Sequence, residues 1–204
     1  MKIICIGRNY VDHAKELNNK VPSEPLFFLK PDSSILPNRT AFYIPDFSEN
    51  VHFEVELVYK ISKLGKHISE KHAGRYYDEI GLGIDFTARD VQSKLKEKGH
   101  PWEKAKAFDG SAVVSRKFFP KDSFSDLNKI DFSLKQNSDT VQNGSSGEMI
   151  FDIDKIISHV SQYMTLKMGD LIFTGTPAGV GKVSDGDLLE GFIGDEQMFR
   201  VNIR

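Results

Sequence analysis

The stretch His52-Phe-Glu-Val-Glu-Leu-Val-Tyr-Lys-Ile61 decides how the chain is read. Successive side chains of an extended chain point to opposite faces. Phe53, Val55, Leu57, Tyr59 and Ile61 therefore share one face, and His52, Glu54, Glu56, Val58 and Lys60 the other. This alternation predicts a strand. It recurs at Ile80–Phe86, where Ile80, Leu82, Ile84 and Phe86 oppose Gly81, Gly83 and Asp85.

Outward from these two strands the signals are shorter. Lys2–Ile6 and Leu26–Leu29 read as strands, and Asn9 as the cap of a helix reaching about Leu17. Thr87-Ala-Arg-Asp90 resembles a capping box that opens a helix to about Lys98, ended by Gly99 and Pro101. Ile130–Leu134, Met149–Phe151, Asp170–Thr174 and Phe199–Ile203 are strand-length apolar patches, and Ile153–Met164 suits a helix. Asn143-Gly144 signals a tight turn between extended segments. There is no repeat or linker. Many short strands with few helices predict an α+β fold dominated by β-structure, in one domain over residues 1–204.

Composition narrows the function. The chain has 204 residues, a formal net charge of −2, and 39% hydrophobic residues, enough for a packed core. Nothing in that charge suggests a nucleic-acid partner, and the lysines of Lys94–Lys106 are interrupted by Glu97 and Glu103. Cys5 is the single cysteine, which excludes an intrachain disulfide and suits a reducing compartment. No apolar run is long enough for a membrane span or a signal-peptide core, so a cytoplasmic protein is expected. Gly175-Thr-Pro-Ala-Gly-Val-Gly181-Lys182 is spaced wrongly for a phosphate-binding loop, and Gly81-Leu-Gly83 does not complete a dinucleotide fingerprint. No zinc cluster or nucleophile elbow occurs.

What remains is a set of carboxylates. Glu54 and Glu56 leave the same strand face, and two such carboxylates can converge on one hard cation such as Mg²⁺ or Mn²⁺. A solvated outer strand face would look the same. Asp85 shares its face with Gly81 and Gly83, which clears space beside it. Arg89, Gln92 and Lys96 follow at helical spacing. His13 and Glu16 are three apart on the first helix, where a carboxylate can support an imidazole as general base, or form a plain surface pair.

The motifs Gly7-Arg-Asn-Tyr-x-x-His13-x-x-Glu16, Phe28-Leu-Lys30-Pro31, Glu54-x-Glu56-Leu57, Asp85-x-Thr-Ala-Arg89-Asp90-x-Gln92, Pro101-Trp-x-x-Ala-Lys106-x-Phe108-Asp109 and Thr174-Gly-Thr176-Pro-x-Gly-Val-Gly181 occur in this order. Together they resemble the fumarylacetoacetate hydrolase superfamily, most closely its short acylpyruvate hydrolase and oxaloacetate decarboxylase type. The resemblance implies a mixed β-sandwich roll with a few short helices, a homodimer, and Mg²⁺ or Mn²⁺ as cofactor. It implies Glu54, Glu56 and Asp85 as metal ligands, and His13 and Glu16 as the water-activating pair on a lid. It implies Gln92 and Lys106 as stabilisers of negative charge, and Arg89 and Thr176 near the substrate oxygens. Residue type alone does not separate Lys106 from Lys104. The implied activity is metal-dependent C–C bond cleavage in a small 2-oxo acid, by acylpyruvate hydrolysis or oxaloacetate decarboxylation, through a metal-bound pyruvate enolate. Isomerases and decarboxylases of aromatic catabolism are the enzymatic alternative, and a non-catalytic metal-stabilised binding module the alternative of another class. Gly144-Ser-Ser146 and Asp32 depart slightly from the family pattern.

Overall fold

The computed structural model describes residues 1–16 and 21–204, and the side chains of residues 14–16 lie outside that description. The alternating strand forms, but as two pieces, Val51–Phe53 and Val55–Ile61. Val55–Ile61 lies inside a 7-stranded sheet whose successive neighbours are Leu26–Pro31, Lys2–Gly7, Leu171–Phe173, Val55–Ile61, Tyr77–Asp85 and Ala112–Val114. Phe119–Pro120 also pairs with Tyr77–Asp85. Lys2–Gly7 and Leu171–Phe173 run parallel, and the other pairs are antiparallel. The sheet is thus mixed, as the β-dominated α+β reading requires.

Both faces of this sheet are covered. Ile4, Ile6, Leu57, Tyr59, Ile80, Leu82 and Ile84 face the main core. A second sheet of 4 strands supplies the opposite wall, in the order Asp139–Ser145, Asp131–Gln136, Leu188–Ile193, Glu196–Asn202. Its Phe132, Leu134, Leu189 and Val201 join the same cluster. The helix Ile153–Tyr163 adds Ile156, Ile157 and Val160, and its cap Asp152 accepts the Lys155 N–H at 2.8 Å. The other sheet face carries the smaller cluster of Ile3, Cys5, Val58, Ala112, Leu171 and Phe173. Glu54, Glu56 and Asp85 belong to this face by the period of two.

The chain changes sheets at Glu54. Val51–Phe53 pairs with Thr87–Ala88 and Gly181–Lys182, while Val55–Ile61 pairs with Tyr77–Asp85 and Leu171–Phe173. The Val55 N–H, released at this corner, donates to Gln142 Oε1 at 2.9 Å. Gln142 is buried, and its amide nitrogen donates to Thr176 Oγ1 and to the Pro177 carbonyl.

Several local expectations are corrected. Asn9 does not cap the first helix, Val11–Glu16. Its amide donates to the Phe151 and Thr174 carbonyls and accepts the Phe151 N–H, because these three buried or half-buried backbone groups need partners. Leu17, the expected helix end, lies outside the described residues. Thr87 is not a cap either. The helix Arg89–Glu97 starts after Ala88 without a side-chain cap, and the Thr87 hydroxyl turns inward to the carboxylates. Asn143-Gly144 lies inside a strand, and the hairpin turns instead at Asn137 and Ser138, with φ of 53° and 77°. Met149–Phe151 forms only an isolated bridge to Tyr10.

Gly83 is where the sheet admits least change. A Cβ there would stand 2.5 Å from the Val113 carbonyl oxygen and 2.6 Å from a Phe173 ring carbon. The room beside Asp85 expected from these glycines is therefore filled by Phe173, and at Gly81 by Phe118. Gly83→Ala should destabilise the protein toward the upper end of the roughly 1–3 kcal/mol typical of overpacking. Urea unfolding checks this, and an unchanged midpoint would contradict the packing described.

Candidate metal centre and active site

Period two on one strand and the antiparallel neighbour bring three carboxylates together. Glu56 pairs in register with Gly83, two residues before Asp85. One carboxylate oxygen each from Glu54, Glu56 and Asp85 lies within 4.8 Å of the others. All three residues are buried, so the solvated-face alternative does not hold.

Buried carboxylates need compensation. Lys106 Nζ lies 3.0 Å from Glu54 Oε2, 2.6 Å from Asp85 Oδ2 and 2.5 Å from Thr87 Oγ1. The Thr87 hydroxyl donates to Glu54 Oε1 at 2.9 Å, and Arg89 Nη2 reaches the same oxygen at 2.5 Å. Lys30, fully buried, stands 2.7 Å from Asp85 Oδ1 without hydrogen-bond alignment. Glu56 accepts the Gly175 N–H at 2.7 Å. Gly175 has φ of 97°, and a Cβ there would meet Asn9 Cβ at 2.8 Å, so glycine is required for this approach.

The electrostatics divide the three. Burial pushes the Glu54 carboxyl up, but Lys106, Arg89 and His13 outweigh it and hold it well below the usual carboxylate range. Glu56 goes the other way: burial, Asp85 and Glu54 all raise it, against weaker lowering from the Gly175 N–H and Lys106. Burial would lower the Lys106 ammonium, yet Asp85 and Glu54 raise it above its ordinary value. Burial, reinforced by Asp85, pushes the Cys5 thiol up, which argues against a thiolate nucleophile. Three buried oxygen donors, one of them short of positive charge, fit a hard divalent cation.

A pocket opens on this cluster. Its walls include Glu54, Asp85, His13, Arg89, Gln92, Lys106 and Thr176. His13 is buried there, while the Glu16 side chain lies outside the described residues. Arg89 Nη1 donates to Gln92 Oε1 at 2.8 Å, and Phe28 packs edge-on against Trp102 along the wall. Lys104, indistinguishable from Lys106 by residue type, is exposed, whereas Lys106 is buried. Glu56 sits beneath the pocket wall, only 1% exposed.

A family model described as fumarylacetoacetate (FAA) hydrolase C-terminal matches residues 2–200. The chain belongs to the fumarylacetoacetate hydrolase family. Among relatives, the oxaloacetate decarboxylase, mitochondrial, of Dictyostelium discoideum is 45% identical over 190 residues, covering 93% of this chain and 87% of that one. An oxaloacetate tautomerase of Escherichia coli (strain K12) is 41% identical over 189 residues, covering 92% and 86%. Among solved structures, fumarylpyruvate hydrolase from Pseudomonas aeruginosa in complex with Mn²⁺ and pyruvate superposes with a TM-score of 0.92 at 32% identity, covering 100% of this chain and 89% of that chain. Among the described residues, no helix is long and apolar enough to cross a membrane.

The sequence assigns no site role to Lys30, Thr87, Gln142 or Gly175, although each supports the carboxylate cluster or the corner beside it. Lys30, Thr87 and Gly175 lie inside the family-like motifs, and only Gln142 has no sequence signal. Arg8 also lines the pocket, in a left-handed backbone conformation with φ of 59°, unusual for a residue other than glycine.

The raised carboxyl of Glu56 gives a pH prediction. Above its ordinary value of 4.5 the folded metal-free protein keeps a proton that an unfolded chain releases. Its contribution to stability is complete below 4.5 and is lost as pH rises through the folded value. Glu54 acts in the opposite sense, with a contribution that is present above 4.5 and lost only as pH falls below it. Ligation needs Glu56 ionised, so binding should expel a proton at any pH between 4.5 and the raised folded value. Calorimetric Mn²⁺ titrations in buffers of different ionisation heat measure this. Heats independent of the buffer would show that Glu56 is already ionised or is no ligand.

Proposed function

We propose that this protein cleaves a C–C bond in small 2-oxo acids, oxaloacetate and short acylpyruvates, with a divalent cation held by Glu54, Glu56 and Asp85. The observation that carries the reading is the buried carboxylate triad beneath a pocket walled by His13, Gln92 and Lys106. Mg²⁺ and Mn²⁺ both suit such oxygen donors, and the Mn²⁺ of the Pseudomonas aeruginosa structure makes that ion the first to test. When bound, the cation supplies Lewis-acid stabilisation of negative charge on the 2-oxo group.

The side chains do the rest. Lys106, held as an ammonium, and the Gln92 amide face charge that develops on the substrate. In hydrolysis His13, supported by Glu16, takes a proton from water. The hydroxide adds to the distal carbonyl carbon, the C3–C4 bond breaks, and its electron pair passes into the pyruvate enolate. The proton held at His13 then returns to C3. In decarboxylation the same bond breaks with loss of CO₂, its electron pair passes into the same enolate, and C3 then takes a proton from solvent, so no attacking water is needed. Arg89 and Thr176 orient the substrate oxygens. Arg8, Arg89 and Lys96 line the pocket together, and burial, Arg8 and Arg89 lower the Lys96 ammonium. A second carboxylate on the substrate would relieve that repulsion, which favours dianions such as oxaloacetate.

Keto–enol tautomerisation of oxaloacetate is a second reading, favoured by the name of the Escherichia coli relative. It needs the same enolate with a proton moved between C3 and oxygen. We also propose a homodimer, supported by the apolar hollow of Phe47, Val91, Ala107 and Phe108. Sedimentation as a 23.0 kDa species alone would count against it. The cytoplasm is the compartment proposed, since Cys5 is a free thiol, and the mitochondrial location in the names of several relatives meets the same redox condition.

The deciding experiment follows pyruvate release from acetylpyruvate, fumarylpyruvate and oxaloacetate, with and without Mn²⁺ or Mg²⁺, beside the decay of enol absorbance. Metal-dependent pyruvate release is expected. Enol decay without pyruvate would favour tautomerisation, and no metal-dependent change with any substrate would sink both readings.

Two variants probe the roles. His13→Ala, measured with saturating metal, should lower acylpyruvate hydrolysis by about 10²-fold or more and oxaloacetate decarboxylation far less. A parallel fall in both would remove the water-activating role. Lys96→Met should raise KM for oxaloacetate more than for monoanionic acetylpyruvate. An equal effect on both would exclude Lys96 from recognition of the second carboxylate.

A further inference from the structure

Lys30 has no exposed surface. It sits on the sheet strand Leu26–Pro31, next to the chain's first strand. Its ammonium donates to Ser111 Oγ at 2.9 Å, to the Ser111 carbonyl at 3.0 Å and to the Lys106 carbonyl, with the Phe86 carbonyl at 3.5 Å and Asp85 Oδ1 at 2.7 Å. The Ser111 hydroxyl in turn donates to the Lys106 carbonyl at 2.9 Å. An ammonium sealed from water is tolerated only with a full set of acceptors and a counter-charge. This one is surrounded by them.

Asp85 is therefore gripped twice, at Oδ1 by Lys30 and at Oδ2 by Lys106. The two lysines differ. Lys106 lines the pocket and divides its protons among Asp85, Glu54 and Thr87. Lys30 does not line the pocket, and its remaining contacts are to backbone carbonyls and one buried serine. One of those carbonyls belongs to Lys106 itself, so Lys30 also anchors the turn from which Lys106 reaches into the site.

We propose that Lys30, braced by Ser111, is the positioning residue of the metal centre: the permanent counter-cation of Asp85, which fixes that ligand's carboxylate and leaves Lys106 free to exchange Asp85 for the substrate's developing charge. This rests on the reading that the triad holds a cation, and not on which oxo acid is cleaved. Without Lys30, Lys106 is the only ammonium left on Asp85 among the described residues, and it competes with the cation for that carboxylate.

The test uses metal-free full-length protein, titrated with Mn²⁺ well below its melting temperature. The variants are Lys30→Met and Ser111→Ala. Leu189→Ala, buried in the other sheet, serves as a destabilised control away from the site. Replacing an outer partner of a metal ligand typically weakens binding by about 10–100-fold. Lys30→Met should fall in that range, Ser111→Ala should weaken binding less, and Leu189→Ala should bind as wild type. At saturating Mn²⁺, Lys30→Met should lower kcat with KM near that of wild type. If Lys30→Met does not fold, Ser111→Ala decides by the same criterion. Unchanged or tighter Mn²⁺ binding in the site variants overturns the proposal, as does equal weakening in Leu189→Ala. Wild type that binds no Mn²⁺ overturns the metal-centre reading and this proposal with it.

Discussion

Three carboxylates buried on one face of a sheet constrain everything around them. Glu54, Glu56 and Asp85 are 6%, 1% and 1% exposed, and none can be ionised there without a nearby positive charge. The protein supplies Lys30, Lys106 and Arg89, all directed to Glu54 and Asp85. Among the described residues no ammonium lies within ion-pair distance of Glu56, which has the Gly175 N–H instead. The charge deficit is thus concentrated at one carboxyl. That asymmetry suits the cluster to a cation better than to a closed ionic core, and Glu56 is the carboxyl that a bound cation would affect most.

The architecture follows from the need to hold this cluster rigidly. Carboxylates on adjacent antiparallel strands are fixed by the backbone ladder, with Glu54 at a corner where the chain leaves one sheet for another. A corner costs backbone hydrogen bonds, and Gln142 replaces the one lost at Val55. The same amide group holds Thr176 and Pro177, so the corner and the Gly175 loop are tied to one side chain. Phe173 packed onto Gly83 seals the sheet face behind the carboxylates. Water is excluded on that side, and charges in the pocket act at lower effective dielectric.

The period of two made the sheet and its ligands readable, since Glu54 and Glu56 must share a face in any extended chain. Asp85 was readable for the same reason on the neighbouring strand. The supporting groups were not, because their partners are distant in sequence. Gln142 meets Val55 across 87 residues, and Gly175 meets Glu56 across 119. Lys106 and Lys104 differ only in which way a short helix turns, so the motif was needed to choose, and burial then separated them. Local signals failed where tertiary partners competed with them. Asn9 and Thr87 both look like helix caps, and both spend their polar atoms on buried groups elsewhere. The Asn-Gly pair at 143–144 lost to Asn137-Ser138, because the pairing of Asp131–Gln136 with Asp139–Ser145 sets the turn position.

Relatives of one fold carry the names decarboxylase, tautomerase and fumarylpyruvate hydrolase. One physical requirement unites these reactions: each places a negative charge on the oxygen of a 2-oxo acid as C3 changes its bonding. A site that stabilises that charge lowers all three barriers, and the cation, Lys106 and Gln92 are the groups proposed to do so here. What must differ is the treatment of the bond at C3. Hydrolysis needs a base and a water, tautomerisation a base without water, and decarboxylation neither. On the proposed reading the triad sets the class of reaction, and its outcome turns on His13 and on whether Arg8 and Lys96 hold a second carboxylate. Selectivity among oxo acids should accordingly vary by substitution at His13, Arg8 and Lys96, while the buried carboxylates and lysines stay as they are.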